Sequence, residues 1–466
     1  MSQKINASEQ ESIVIVGAGV CGLTLAAKLL EAGVPNPVVL IEKESRVGGL
    51  ARSFSYGDYI FDIGPHRFHS DNTEVTEFVR EILGPDRIDI ERSSGVWLFN
   101  KYHDWPLRPG TVLKLPFNIM LRCFFDLFFR AKAKTDNFEE YIIEHYGKTL
   151  YEVFFRPYTE KFIKYNCRDL HKDWASTGID RAVIDKRIKA GSLFEVLQTT
   201  LCAPAVKSKF IYPKSGGNGV FCERLRDKIE DQGGVLLLSS LVDNFEFENN
   251  RISKVRLNNG QAFKVKHLFW TAPIPELISF LAPGKSVPRM EYISTVVANY
   301  MINTPPQTHY QWCYFGTADS LIQRISIQAN FNPGLAPKGK SGLCVELTCV
   351  EGDATWRHPE RMDAAIEGFL VRSEAVRKHS DIVGVHFEHI PNSYPLYTLN
   401  YKRKLSANLK EIMRFDNLLS LGRTGSFWYN NQDHSIQQAM EVAQAYLKES
   451  KSAKLRDIVY SQIQTG

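Results

Sequence analysis

Three glycines and a glutamate carry the first chemistry the sequence offers. Gly17, Gly19 and Gly22 form G-x-G-x-x-G, and Glu42 follows about twenty residues later. Gly17 permits a tight turn, Gly19 lets the backbone approach a pyrophosphate, and Gly22 lets a helix pack close to a strand. A pyrophosphate in that turn meets the positive end of the helix, and a carboxylate at 42 can accept from both ribose hydroxyls. A second loop, Arg46-Val47-Gly48-Gly49-Leu50-Ala51-Arg52-Ser53, adds glycines for close approach and two arginines for phosphate charge. A nicotinamide site has no need of that loop, so the dinucleotide expected is FAD. Gly64-Pro65 then fixes a turn before His66 and His69. With no third ligand nearby, the two histidines are predicted to stand beside the flavin ring rather than to hold a metal.

These residues need a strand, a helix and a second strand to position them. The apolar run at 13–16, the Ala/Leu-rich stretch after Gly22 and the apolar run at 38–41 supply that order. From 105 to 200 the spacing is helical, with apolar periodicity over 138–146, 149–155 and 193–200. The most apolar stretch, 115–129, contains Arg122 and Asp126 and is shorter than a membrane span. It is predicted to form an amphipathic helix packed on the protein's own core, which is favoured over the alternative that it lies on a membrane surface. From 209 the pattern returns to α/β, with strands at 233–238 and 265–270 and a hairpin, 245–248 with 252–257, around Asn249-Asn250. Runs at 295–302, 312–315, 324–328 and 343–349 predict an antiparallel sheet. A strand at 418–421, the polar loop 429–435 and a helix over 436–447 close the fold, the helix N-terminus pointing at the flavin.

The fold class expected is therefore α/β. A discontinuous Rossmann-like FAD-binding domain (1–95, 205–285 and 403–450) carries a helical insert (96–204), an antiparallel substrate sheet (286–402) and a flexible tail (451–466). The 466 residues are too many for one ordinary core. Net charge is +5 without a dense basic run, which favours an anionic substrate and disfavours extended nucleic-acid binding. The eight cysteines (21, 123, 167, 202, 222, 313, 344 and 349) include no CxxC pair and lack a His cluster, so neither zinc nor a disulfide framework is expected. The polar first eleven residues have no signal-peptide core, no stretch reads as a transmembrane segment, and the location expected is cytoplasmic.

Beyond the nucleotide fingerprint, four stretches resemble the UDP-galactopyranose mutase family, a branch of the FAD-containing amine oxidase and protoporphyrinogen oxidase superfamily. They are Gly64-Pro65-His66-x-Phe68-His69-x-Asp71-Asn72, Leu150-Tyr151-Glu152-x-Phe154-Phe155-x-x-Tyr158-Thr159-x-Lys161, the strand opening at Arg324-Ile325, and Gly422-Arg423-x-Gly425-x-x-x-Tyr429-x-x-x-Asp433. The resemblance spans 12 to about 448. It implies that Gly17, Gly19, Gly22, Glu42, Gly49, Arg52 and Arg423, with Asn430 and Asp433 of the C-terminal loop, hold FAD, and that Val242 meets the adenine through its backbone. His66 and His69 are implied against the isoalloxazine and the sugar. Arg324, Tyr429 and Tyr394 are implied on a substrate diphosphate with Arg181 as the second arginine, and Tyr158 and Thr159 on the nucleotide side. Where that family carries a tryptophan on a mobile loop this chain has Ile163, and Asn431 stands in place of an aspartate.

What the resemblance implies is interconversion of pyranose and furanose forms of a nucleoside-diphosphate sugar, UDP-galactose-like, without net redox. Reduced flavin N5 would be the nucleophile at the anomeric carbon. The implied partners are the nucleotide sugar, NAD(P)H or a reductase to prime the flavin, and a second copy in a homodimer; the product would feed polysaccharide biosynthesis. The alternative on the same fold is an oxidoreductase of the amine oxidase, porphyrinogen oxidase or desaturase type, taking hydride from its substrate. The histidine loop and Tyr158-Thr159 favour the mutase.

Overall fold

The computed structural model describes residues 10–105, 116–126, 128, 132–175, 209–317, 319–448 and 452–464. The apolar run becomes β1 (Ser12–Val16), buried along its whole length. The chain turns at Gly17 into α1 (Val20–Glu31) and returns as β2 (Val38–Ile41), parallel to β1. Alternate side chains of these strands enter different cores. Ile13, Ile15, Val38 and Leu40 pack with α1, whereas Val14, Val16, Val39 and Ile41 join the cluster on the other face. Burial on both faces is why the strands read as continuous apolar runs.

The sheet is completed from two distant parts of the chain. In order, Val235–Leu237, β2, β1, Ala262–Trp270 and Leu418–Ser420 are all parallel. The hairpin Val242–Glu248 with Arg251–Leu257 pairs antiparallel with the start of Ala262–Trp270, making seven strands. Asn249 turns that hairpin with φ 53°.

A second seven-stranded sheet runs Ile382–Pro395, Tyr292–Ile302, Ser341–Cys349, Arg324–Ile327, Trp312–Phe315, Ser94–Leu98, Lys101–Asp104. It is antiparallel except where Trp312–Phe315 meets Ser94–Leu98 in parallel. Its last two strands come from residues that the sequence places at the start of the helical insert. Their turn, Phe99-Asn100, has φ 52° and 57°, the paired left-handed geometry usually marked by Asn-Gly. Phenylalanine there hides the signal.

In the helical part, Phe138–Tyr146 is followed by Lys148–Leu150, a single wide turn Tyr151–Phe155, and a helix Arg156–Ile163. The predicted 193–200 helix lies outside the described residues. The amphipathic helix forms as α2 (Phe117–Asp126), but it does not pack on the core as expected. Of its side chains only Ile119 is buried, while Phe117, Leu121, Phe124 and Phe125 are exposed. It meets the protein through Ile119 and the half-buried Met120, Cys123 and Asp126, with Asp126 accepting from the Thr149 N–H and the exposed Arg122 paired to Glu152.

The expected flexible tail is also helical over Ser452–Gln464. Leu455 and Val459, four residues apart, drop into the core beside the helix Gln432–Leu447, a spacing too short to stand out in a polar stretch.

Candidate functional site

β1, α1 and β2 bring the glycines and Glu42 to the wall of one cavity of about 500 Å³. Gly17 has φ +102°, and a Cβ there would lie 2.4 Å from Thr271 Oγ1. A Cβ on Gly22 would lie 2.0 Å from the Gly17 carbonyl oxygen, so α1 can sit against the turn only with glycine there. A Cβ on Gly19 would meet nothing within 4 Å: that backbone is open to the cavity, as a pyrophosphate requires.

Glu42 is nearly buried, and its oxygens accept from Ala18 N at 2.7 Å and Glu44 N at 2.9 Å. Burial pushes its carboxyl pKa up, and those two N–H bonds pull it back. Gly49, Arg52, Val242 and Asn430 line the same wall, and Arg52 Nε and Asn430 Nδ2 are buried without a partner. Two helices open onto the cavity at their N-termini: α1 through Gly19 and Val20, and Gln432–Leu447 through Asn431, Gln432 and Ser435. The open glycine cradle, the orphaned donors and two positive helix ends fit the phosphates of a dinucleotide.

The other end of the cavity is built by the second sheet. Arg324 and Glu346 face each other on neighbouring strands and form a two-pronged pair, 2.6 Å at each prong. Glu346 is 2% exposed and Arg324 16%. Burial works against the Arg324 charge, but the attraction of Glu346 overrides it, so its pKa is raised. The Gly64-Pro65 turn settles directly on Glu346. Gly64 has φ +70°, and a Cβ there would lie 2.5 Å from Glu346 Oε1.

That turn aims His66 and Arg67 into the cavity. Burial, then the charges of Arg324, Arg67 and Arg423, push the His66 pKa down to about 3, so the imidazole is neutral, and its Nδ1 has no partner. Arg67 lies over the rings of Phe210 and Trp312, 4.9 Å from each centroid. Among the described residues it donates one hydrogen bond, 3.3 Å to the Pro65 carbonyl, and its Nε has no partner. Burial lowers its pKa to about 10, with Arg92 and Arg324 acting the same way.

Arg423 sits 4.5 Å over Tyr429 and 5.1 Å over Tyr394. It donates through Nε and one terminal nitrogen to the Ser393 carbonyl and through the other to the Asn430 carbonyl, fastening the end of the strand Ile382–Pro395 to the loop at Asn430. Trp174 stacks on Tyr429 at 5.1 Å and 12°. Burial raises the pKa values of Tyr394 and Tyr429, leaving both phenols protonated donors.

The cavity thus gathers Gly17, Gly19, Glu42, Gly49, Arg52, His66, Val242, Arg324, Tyr394, Arg423, Tyr429 and Asn430. Gly22 stands behind the turn. His69, Tyr158, Thr159 and Asp433 are not among its described lining residues. His69 is exposed, with its ring edge-on to Phe210 at 5.8 Å, because the extended loop beyond the buried Phe68 turns it outward. Tyr158 is held between the rings of Phe154 and Tyr314 and 3.5 Å from Gln323 Nε2, and Thr159 is buried. Asp433 lies 3.1 Å from His434 Nδ1. Ile163 is wholly buried, so that position cannot cover a ligand. Arg181 lies outside the described residues. Among those described, no group of three or more His, Cys, Asp or Glu is placed to hold a metal.

Three residues escape the sequence reading, two lining the cavity and one, Trp174, backing Tyr429. Glu346 is the one charge in the buried strand 341–349, and that isolation was its signal. Arg67 stood between two histidines already singled out. Nothing near Trp174 in sequence marks it.

Residues 20–365 match the model of the flavin containing amine oxidoreductase family. Among curated proteins the chain is similar to coproporphyrinogen III oxidase of Staphylococcus aureus, 27% identical over 23% of each chain. It is also similar to the "Probable UDP-galactopyranose mutase" of Klebsiella pneumoniae, 28% identical over 32% of this chain and 40% of that protein. The chain thus spans less than half the length of these relatives. In fold it is similar to a crystal structure of reduced UDP-galactopyranose mutase, with TM-score 0.79, 23% identity and coverage of 96% of this chain and 98% of that one. It is also similar to putrescine oxidase bound to putrescine, with TM-score 0.62, 14% identity and coverage of 95% and 100%.

Proposed function

The chain belongs to the flavin containing amine oxidoreductase family, and from that premise we propose that it is an FAD-dependent mutase interconverting the pyranose and furanose forms of a nucleoside-diphosphate sugar. The observation that carries this reading is the charge of the inner cavity. Arg67 makes no ion pair among the described residues, Arg324 lies beside it, and their charges and that of Arg423 add to burial, the larger cause, in holding His66 neutral. Such a wall attracts an anionic substrate and repels the ammonium group of an amine.

The nucleophile for the anomeric carbon is what a bound, reduced flavin supplies. The chain's own residues do the rest. Arg324 keeps one terminal nitrogen free of Glu346 and, with Arg67, meets the departing diphosphate. Tyr394 and Tyr429 donate from protonated phenols, and stacking on Trp174 and Arg423 fixes the Tyr429 ring. Neutral His66, on the same turn as Arg67, can take or give a proton at Nδ1. Glu42 and the Gly17–Gly22 turn hold the dinucleotide. His69, Tyr158, Thr159 and Asp433 have no direct contact in this proposal.

The test is anaerobic turnover of UDP-, GDP- and dTDP-sugars by oxidised and by dithionite-reduced protein. An isomer of unchanged mass formed only by the reduced protein is the expected result. Bleaching of oxidised flavin, with a product lighter by two hydrogens, would overturn the proposal in favour of an oxidase.

A further inference from the structure

The helix α2 is inverted for a surface helix. Phe117, Leu121, Phe124, Phe125 and, beyond its end, Phe128 recur at the spacing that places them on one stripe. In an ordinary surface helix that stripe meets the core. Here Phe117 is 72% exposed, Leu121 43%, Phe124 and Phe125 52% each and Phe128 57%. The helix is held by its other side. Ile119 is buried, Arg122 pairs with Glu152 at 2.9 Å, and Asp126 accepts from Thr149 N at 2.6 Å. The dock is tight: a Cβ on Gly147 would lie 2.8 Å from that of Asp126. On the open side Phe124 meets Phe125 and Phe128 edge-on at 6.2 and 5.2 Å, so the rings form one continuous surface. Four of the six phenylalanines exposed in the described chain are in this patch, which is far more than scattered surface apolarity.

Charge identifies the occupant. Residues 106–135 carry Arg108, Lys114, Arg122, Arg130, Lys132 and Lys134 against Asp126 alone, a net +5 equal to that of the entire chain. The remaining residues are electrically balanced, and Lys132 and Lys134, a few residues past the aromatic stripe in sequence, are exposed. We propose that α2 docks the protein on an anionic lipid bilayer, its aromatic side chains entering the headgroup–acyl boundary and the exposed Lys132 and Lys134 meeting lipid phosphates. A second copy of the chain is a poorer fit, because a two-fold interface would set one +5 segment against another. The helix lies on the membrane rather than through it: among the described residues no helix is long and apolar enough to cross one. This inference is independent of the reaction proposed above.

The test is co-sedimentation of the flavin-loaded protein with vesicles of phosphatidylglycerol and phosphatidylcholine, and with phosphatidylcholine alone. Binding to the anionic vesicles only, weakened by salt, is expected. Phe117→Ser/Phe124→Ser/Phe125→Ser should lower partitioning more than about 100-fold, and Lys132→Gln/Lys134→Gln roughly 30-fold, with flavin content unchanged in both. No binding to anionic vesicles, equal binding to neutral ones, or binding indifferent to the aromatic substitutions would overturn the proposal. So would a wild-type dimer by light scattering that the aromatic variant converts to monomer, which would assign the stripe to a second copy.

Discussion

Replacing Arg324 by methionine tests two roles of one side chain at once. In the protein without substrate, both prongs of the Arg324 fork are held by Glu346 at 2.6 Å, and Glu346 is 2% exposed. Arg324→Met therefore strands a buried carboxylate, which costs about 3–5 kcal/mol, whereas removing both members of such a pair is close to neutral or better. In a chain of this size that loss lowers the melting temperature by roughly 3–5 °C. Adding Glu346→Leu should restore most of it. Affinity for UDP should behave differently. A charge-assisted contact to phosphate is worth about 1.5–3 kcal/mol, so binding should fall at least roughly tenfold in the single variant and stay down in the stable double variant. Thermal melts at saturating FAD and titration calorimetry with UDP give the two readouts. A single variant as stable as the wild type refutes the stranded-carboxylate argument. A stable double variant that binds UDP normally refutes the anion role of Arg324.

Two further outcomes follow from the same geometry. Gly22→Ala, whose Cβ would lie 2.0 Å from the Gly17 carbonyl oxygen, should yield protein purified with little flavin, read from the ratio of flavin to protein absorbance; near-wild-type flavin content would contradict the tight turn. Asp62 is buried, accepting from Ser53, Tyr212 and Asn218, and burial raises its pKa to about 6. The folded protein thus binds the proton more tightly than the unfolded chain. The Asp62 contribution to stability should fall as pH rises from the unfolded carboxyl range, about 4, toward 6. Asp62→Asn should flatten that part of the stability–pH curve, and an unchanged slope would place the titration elsewhere.

The cofactor half of the site was legible because its parts are neighbours in sequence. Gly17, Gly19, Gly22 and Glu42 lie within one strand–helix–strand unit, and local periodicity fixes where each points. The substrate half depends on pairing between distant strands. Arg324 was found, but its register against Glu346 is set by the sheet and hides the pair from any local pattern. His66 and His69 looked equivalent at i and i+3, yet the loop is extended, so one side chain enters the cavity and the other leaves it. The exposed stripe of α2 had the correct helical period and the opposite facing, because amphipathicity reports which side chains share a face and not what that face meets.

The nucleotide-binding sheet also governs when the protein can acquire its cofactor. β1 and β2 precede the other strands of this sheet, Val235–Leu237 and Ala262–Trp270 pair with them only after some two hundred further residues, and Leu418–Ser420 closes the far edge about 150 residues later still. Contacts of such long sequence separation are slow to form, and edges left open meanwhile attract other chains. The phosphate-binding turn thus leaves the ribosome early as a loop without its walls. Because Leu418–Ser420 leads straight into Gly422-Arg423, which ties Ser393 on its strand to the Asn430 loop, the cavity wall is complete only once this last strand has paired.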